Sequence, residues 1–277
     1  MKNWLNNEYV VLSGASGGIG RQLCKILIEK YNANVVGVGR NEEKMRSLQQ
    51  ELGEKANKFS YRLFDVSERT AWQDFKTFLE EEGIYPILLI NNAGMFPTFK
   101  KVSETPEEVT SRIMQVNYFS HVYACNALLP ILRKNEKSLP AIVNVSSCAA
   151  LCTVVGTGVY SASKAALKSY TEALMIEEKG RLHVGLICPG TTATELFDGD
   201  ENTKNSALSY IAMPAEKMAN KIAKKILRRR KRAVLGLDAK LMSFCAKVLP
   251  IKGLFLVRGV MKTSKSKVFK NVFDYKK

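Results

Sequence analysis

The chain has 277 residues, 46% of them apolar and 25% charged, which suits a globular protein with a sizeable core and excludes a disordered or low-complexity polypeptide. Its net charge of +16 is lopsided, because residues 1–215 hold 23 basic and 23 acidic side chains whereas 216–277 hold 19 and 3. Six cysteines without C-x-x-C spacing and only two histidines argue against a disulfide framework or a metal site and for reduced thiols in a cytoplasmic protein; Met1 to Glu8 has no pattern of an export leader.

Tyr9 to Leu12 is a short apolar run, followed by Ser13-Gly14-Ala15-Ser16-Gly17-Gly18-Ile19-Gly20 and a helical pattern at Leu23, Ile26 and Leu27. Strand, glycine turn and helix is the context in which a helix N-terminus receives a pyrophosphate. The same residues also satisfy G-x-S-x-G, a nucleophile elbow with Ser16 as nucleophile and His183 as base, but nothing else in the chain supports acyl transfer. The second strand, Asn34 to Val38, ends at Gly39-Arg40. A carboxylate at that tip would favour NAD; the guanidinium of Arg40 suits a 2′-phosphate, so the expected cofactor is NADP(H).

Phe59 to Phe64 reads as a third strand closed by Asp65-Val66, and Glu68 to Glu82 as a helix with Trp72, Phe75, Phe78 and Leu79 on its inner face. Ile87 to Ile90 is a fourth, fully apolar strand that runs into Asn91-Asn92-Ala93-Gly94. Helix-start signals at Ser103 to Glu107 open a helix that continues past Asn117 to about Leu132, with Pro130 in its last turns. Ala141 to Val145 is the fifth strand and leads to Ser146-Ser147; Val184 to Ile187 is the sixth and ends at Pro189-Gly190-Thr191-Thr192-Ala193-Thr194. Continuous apolar strands alternating with helices predict an α/β fold in one domain, a doubly wound parallel sheet of Rossmann type whose strand ends share one edge.

Between the fifth and sixth strands, Tyr160-Ser161-Ala162-Ser163-Lys164 lies in an Ala-rich helical segment. Residues four apart share a helix face, so the Lys164 ammonium is expected beside the Tyr160 phenol, biasing it toward ionisation and making it an acid or base.

This ordered set resembles the short-chain dehydrogenase/reductase family over residues 9–195. The resemblance rests on Gly14-x-x-x-Gly18-x-Gly20, Asp65-Val66, Asn91-Asn92-Ala93-Gly94, Asn117, Ser147, Tyr160-x-x-x-Lys164 and Pro189-Gly190 with Thr194. It implies that Tyr160 protonates a substrate carbonyl as hydride arrives from the nicotinamide, that Lys164 holds the nicotinamide ribose and lowers the Tyr160 pKa, that Ser147 orients the carbonyl oxygen, and that Asn117 holds a relay water. By the same likeness Gly14, Gly18 and Gly20 pass the pyrophosphate, Asp65 the adenine, Asn91 the central sheet and cofactor loop, and Thr194 the carboxamide, with Ser16, Ile19, Val66, Ala93, Gly94, Pro189, Gly190 and Thr192 also expected at the cofactor. Ser13 replaces the threonine usual before the first glycine, and Gly17 occupies a position that many NADP-using relatives make basic, leaving Arg40 to carry the 2′-phosphate preference.

Residues 216–277 form a basic extension that completes domain 1–215. Glu216 to Arg232 reads as a cationic amphipathic helix with Met218, Ile222, Ile226 and Leu227 on one face, and Ala233 to Leu237 as a last strand. Lys247, Lys252 and Arg258 interrupt the apolar stretch from Leu241 to Met261, which excludes a membrane span and suits a peripheral contact with an anionic membrane surface. Few aromatics interleave with the charges between 216 and 252, which disfavours nucleic acid. The reading is a carbonyl reductase for a lipophilic ketone such as a 3-keto lipid base, a 3-oxoacyl group or a steroid, with substrate-shaping segments at 95–104, 148–159 and 191–213. Family members commonly pair as dimers or tetramers through helices equivalent to 105–132 and 158–179. The competing reading is a cofactor-binding interaction protein at a membrane, without turnover.

Overall fold

The computed structural model describes residues 3–96, 98–135, 138–194 and 212–263 together with Phe269, Val272 and Phe273. The first half of the fold comprises β1 (Tyr9–Ser13), α1 (Gly18–Tyr31), β2 (Asn34–Gly39), α2 (Glu42–Glu51), β3 (Phe59–Leu63), α3 (Arg69–Glu81) and β4 (Leu88–Asn91). There follow α4 (Glu107–Met114), a π-helical turn (Gln115–Phe119), α5 (Ser120–Leu132), β5 (Ala141–Val145), α6 (Gly158–Glu177) and β6 (His183–Pro189). A two-stranded pair, β7 (Thr192–Ala193) with β8 (Met213–Pro214), precedes α7 (Ala215–Leu227), β9 (Arg232–Leu235), α8 (Leu237–Val248) and α9 (Lys252–Thr263). Most of the substrate-shaping segment expected at 191–213 lies outside the described residues.

The seven long strands form one parallel sheet in the order β3-β2-β1-β4-β5-β6-β9. Alternation of side chains across each strand sends Val10, Leu12 and Val35 to one face, where Leu23 and Leu27 of α1 and Met218, Ile222 and Ile226 of α7 cover them. Val11, Val36 and Leu89 go to the other face, beneath Trp72 and Phe75 of α3, Leu128 of α5 and Leu174 of α6. Helices on both faces explain why these strands are apolar throughout, and the order reverses between β1 and β4, making the doubly wound Rossmann arrangement.

The C-terminal region is built differently from the helix expected over Glu216 to Arg232. That helix ends at Leu227, whose carbonyl accepts the Trp4 indole N–H at 3.0 Å, and Arg229 turns into the left-handed region at φ +49° with its guanidinium 3.9 Å from the Trp4 ring centre. Met218, Ile222 and Ile226 on the apolar face of α7 are no more than 2% exposed and, with the partly buried Leu227, belong to the core against α1 and the sheet, so this face is not a membrane-facing surface. The last strand starts at Arg232 and takes the β6 edge of the sheet. A third apolar cluster, Phe96, Phe99, Met261, Phe269, Val272 and Phe273, closes over Tyr160.

Candidate active site

The C-terminal ends of the parallel strands converge on a cleft of about 960 Å³, at the switch point where open α/β sheets bind ligands. One half is built by the turn after β1. Gly14 has φ +68°, and a Cβ there would lie 2.9 Å from the Cα of Ala93; one on Gly20 would lie 2.0 Å from the Gly14 carbonyl oxygen. These contacts seat α1 against the turn. Its N-terminus has no side-chain cap, and Gly17, Gly18 and Ile19 line the cleft, leaving first-turn N–H groups for an anion. Arg40, Asn41 and Lys44 line the rim beyond β2. An uncapped helix end beside a cationic rim fits the pyrophosphate of a nicotinamide dinucleotide.

Asp65 lies at the tip of β3. Burial alone would raise its carboxyl, but hydrogen bonds from the Ser67 N–H at 3.0 Å, Arg112 at 2.6 Å and the Ser67 hydroxyl at 2.7 Å outweigh that and hold it at about 2. Arg40 pairs with the same carboxylate at 3.4 Å. The Ser13 hydroxyl accepts the backbone N–H groups of Asn92 at 3.0 Å and Ala93 at 3.1 Å, so serine does at this position what a threonine hydroxyl would do.

The reacting centre lies between α6 and the end of β5. Ser147 opens a 3₁₀ turn by accepting the Ala149 N–H at 3.1 Å, and both it and Tyr160, in the first turn of α6, line the cleft, where the Ser147 hydroxyl favours the ionised phenol. Ser146 Oγ donates to the Lys164 carbonyl at 2.9 Å and ties β5 to α6. Lys164 is 4% exposed, with Nζ 3.4 Å from the Val145 carbonyl and 6.0 Å from the Tyr160 ring centre. A Cβ on Gly94 would be 3.3 Å from that ammonium. Asn117 sits in the π turn, fully buried; its Oδ1 accepts the Met95 N–H at 2.8 Å, and Nδ2 donates to the Met95 carbonyl at 2.9 Å and to Ser163 Oγ at 3.1 Å. The one wider turn re-aims a side chain that a regular helix would place elsewhere.

The electrostatics correct the expectation that Lys164 pulls the phenol down. Burial pushes Tyr160 up to about 12, and the influence that opposes it comes from the Ser147 hydroxyl rather than from the amine. Burial also lowers Lys164 to about 8. Both charged forms lose solvation in this pocket, so near neutral pH the phenol is held as an acid with a protonated amine behind it.

Of the residues singled out from the sequence, Gly14, Ser16, Gly18, Ile19, Arg40, Asp65, Val66, Ala93, Gly94, Ser147, Tyr160, Lys164, Pro189, Gly190, Thr192 and Thr194 line this cleft. Gly20, Asn91 and Asn117 lie behind its wall: Gly20 packs under the turn, and Asn91 donates to Asn144 Oδ1 at 2.8 Å and to Cys125 Sγ at 3.4 Å, joining β4 to β5. His183 starts β6, at the opposite sheet edge from Ser16, so these two form no nucleophile–base pair.

A profile described as short chain dehydrogenase matches residues 8–205. The chain belongs to the short-chain dehydrogenase family. It is 33% identical over 195 residues to benzil reductase ((S)-benzoin forming) of Saccharomyces cerevisiae, covering 68% of this chain and 73% of that one. It is 31% identical over 217 residues to the 3-oxoacyl-[acyl-carrier-protein] reductase of Chlamydia muridarum, covering 77% and 86%. A short-chain dehydrogenase structure from Shigella flexneri, complexed with NADP, shares the fold at a TM-score of 0.75 and 24% identity, over 87% of this chain and 100% of that one.

This short-chain dehydrogenase also uses residues that sequence reasoning passed over. Arg112 reaches Asp65 across 47 residues, which no local pattern announces. Lys44 stands in the first turn of α2, four residues after Arg40, a proximity that was legible. The far half of the cleft is apolar, walled by Phe96, Phe99, Met242, Val257, Met261 and Phe269. Phe96 and Phe99 follow the Asn-Asn-Ala-Gly turn closely, but their partners come from the C-terminal end and are joined to them only by folding.

Proposed function

We propose that this short-chain dehydrogenase reduces the carbonyl of a lipophilic substrate with NADPH, Tyr160 acting as general acid. The observation that carries the reading is the place of the Tyr160–Ser147 pair, at the junction between the glycine-turn half of the cleft and its apolar half. The substrate class covers 3-keto lipid bases, 3-oxoacyl groups and steroid-like ketones, since among the described residues the apolar wall carries no cluster of charge for an anionic head. The names of the matched relatives, benzil reductase and 3-oxoacyl-[acyl-carrier-protein] reductase, are consistent with ketone reduction.

Gly14, Ser16, Gly18 and Ile19 would hold the pyrophosphate, Arg40 and Lys44 the 2′-phosphate, Asp65 and Val66 the adenine end, Lys164 the nicotinamide ribose, and Pro189, Gly190, Thr192 and Thr194 the carboxamide. When bound, the cofactor supplies hydride to the carbonyl carbon. Ser147 donates to the carbonyl oxygen and aims it at Tyr160, whose O–H passes its proton to that oxygen. The Ser147 hydroxyl, which opposes the cost of burying the phenol's charge, accommodates the phenolate left behind, and Asn117 keeps the Met95 segment and Ser163 aligned around the Lys164 amine. A peripheral membrane location, through residues beyond α7, belongs to the same reading. So does a homodimer paired through 105–132 and 158–179, where Phe119 and Ile176 are exposed.

The test is NADPH and NADH consumption over a panel of lipophilic ketones, for the wild type beside Tyr160→Phe. Turnover with NADPH that drops by at least about a hundredfold in Tyr160→Phe supports the assignment. Unchanged turnover in the variant sinks Tyr160 as the acid, and bound cofactor without reduction of any ketone favours the interaction protein.

A further inference from the structure

The helices α8 and α9 form a hairpin whose two sides differ in chemistry. On the inner side Met242, Val257 and Met261 line the cleft, and Ala239, Cys245 and Gly253 are buried where the helices meet. On the outer side of α8, Leu237, Leu241, Phe244 and Val248 recur at i, i+4, i+7 and i+11, the stripe that a helix ordinarily buries. Here they are 57% to 85% exposed. The connection and α9 add Ile251, Phe255 and Val260, each 64% to 67% exposed. A contiguous apolar surface of this kind marks a place of interaction.

We propose that the outer side of this hairpin docks on an anionic lipid bilayer, lying in the headgroup region so that a lipophilic ketone enters the cleft from the membrane. The route of the substrate rests on the functional reading above; the docking surface does not. Charge selects this occupant. Lys240, Lys247, Lys252 and Lys262 are exposed among the apolar residues, Arg258 lies 5.5 Å over the Phe273 ring, and Asp238 is the one acid in residues 237–263. Asp238 is engaged on the inner side, accepting the Thr191 N–H. Two copies paired through this surface would bring like charges together, whereas anionic headgroups neutralise them while the apolar stripe enters the acyl boundary. Among the described residues no helix is long and apolar enough to cross a membrane, which suits a surface contact.

The experiment is flotation of the full chain with vesicles of phosphatidylcholine alone and of phosphatidylcholine with phosphatidylserine. Binding is expected on the anionic vesicles at low salt and should weaken as salt rises. Phe244→Glu/Ile251→Glu/Phe255→Glu should lower partitioning by at least about a hundredfold with the melting transition retained, since each residue replaced would otherwise bury apolar area in lipid. Should that variant fail to fold, Lys240→Gln/Lys247→Gln/Lys252→Gln alters exposed charges alone, and about a hundredfold loss is expected from three headgroup contacts. The proposal is overturned if the full chain ignores anionic vesicles at low salt, or if a folded variant binds them like the wild type. It is also overturned if sedimentation without vesicles shows a dimer that the triple glutamate variant abolishes, which would give the surface to a second copy. Vesicle binding without ketone turnover would leave the docking surface established and count against the enzymatic reading.

Discussion

Asp238 Oδ2 accepts the backbone N–H of Thr191 at 2.6 Å, joining the first turn of α8 to the segment after β6. The carboxylate fills the space above two glycines, since a Cβ on Gly190 would meet its Oδ1 at 2.2 Å and one on Gly236 at 2.4 Å. The C-terminal hairpin is thereby tied to the wall that would hold the cofactor carboxamide. Asp238→Ala removes a charged acceptor from a backbone donor, and a stability loss of about 2 kcal/mol is expected in urea unfolding. The KM for NADPH should rise with it; a variant as stable as the wild type would show that the tie is weak.

Lys164 carries a pH signature of its own. Its folded-state value is lowered to about 8 from an ordinary 10.5, so between these values the unfolded chain binds more protons and stability gains from this group as pH rises. Below pH 8 the folded chain bears the full cost of a buried ammonium. Lys164→Met should therefore be more stable than the wild type by about 2 kcal/mol at pH 7, the difference shrinking toward zero by pH 10.5. Melting curves of the two proteins across that range check it, and a pH-independent difference would show that the pocket does not lower the lysine's pKa.

The Asp65–Arg112 pair predicts the opposite limb. Asp65 is held at about 2 against an ordinary 3.8, so its contribution is present above pH 3.8 and is lost as pH falls toward 2. Arg112→Ala should cost about 1 kcal/mol at pH 7, a modest figure because the pair is partly open to solvent. The gap between variant and wild type should close in acid, as read from urea midpoints at pH 7, 4 and 2.5.

Arg40 tests the choice of cofactor. Its side chain is 67% exposed at the cleft rim and shares the Asp65 carboxylate at 3.4 Å, so its removal leaves the core untouched. Arg40→Ala should raise the KM for NADPH about tenfold and leave that for NADH nearly unchanged, because a 2′-phosphate loses one charge-assisted partner. Equal effects on both would assign the preference to Lys44 or to neither.

The elements came through from the sequence because their signals are local. Strands buried on both faces must be apolar throughout, helices between them show one apolar stripe, and glycine is required where Gly14 turns back over Ala93. Strand boundaries shifted by a residue or two, as where β3 stops at Leu63, because hydrogen bonding at strand ends depends on the neighbouring strand, whereas the helix opening at Ala215 stops five residues short of Arg232. Tyr160 and Lys164, four apart on one helix, were legible for the same reason.

Other properties were decided only when distant segments met. The sequence pattern runs one helix straight past Asn117, and only the π turn buries its amide against Met95. The cationic amphipathic pattern of residues 216–227 is compatible with a lipid surface or a protein core, and periodicity does not distinguish them; α1 and the sheet supply the core. The apolar stripe of 237–248 reads the same way, yet the fold leaves it facing outward. Sequence determined which side chains share a face, through the period of the backbone, whereas tertiary packing decided what each face meets and how far burial moves the Tyr160 and Lys164 protons.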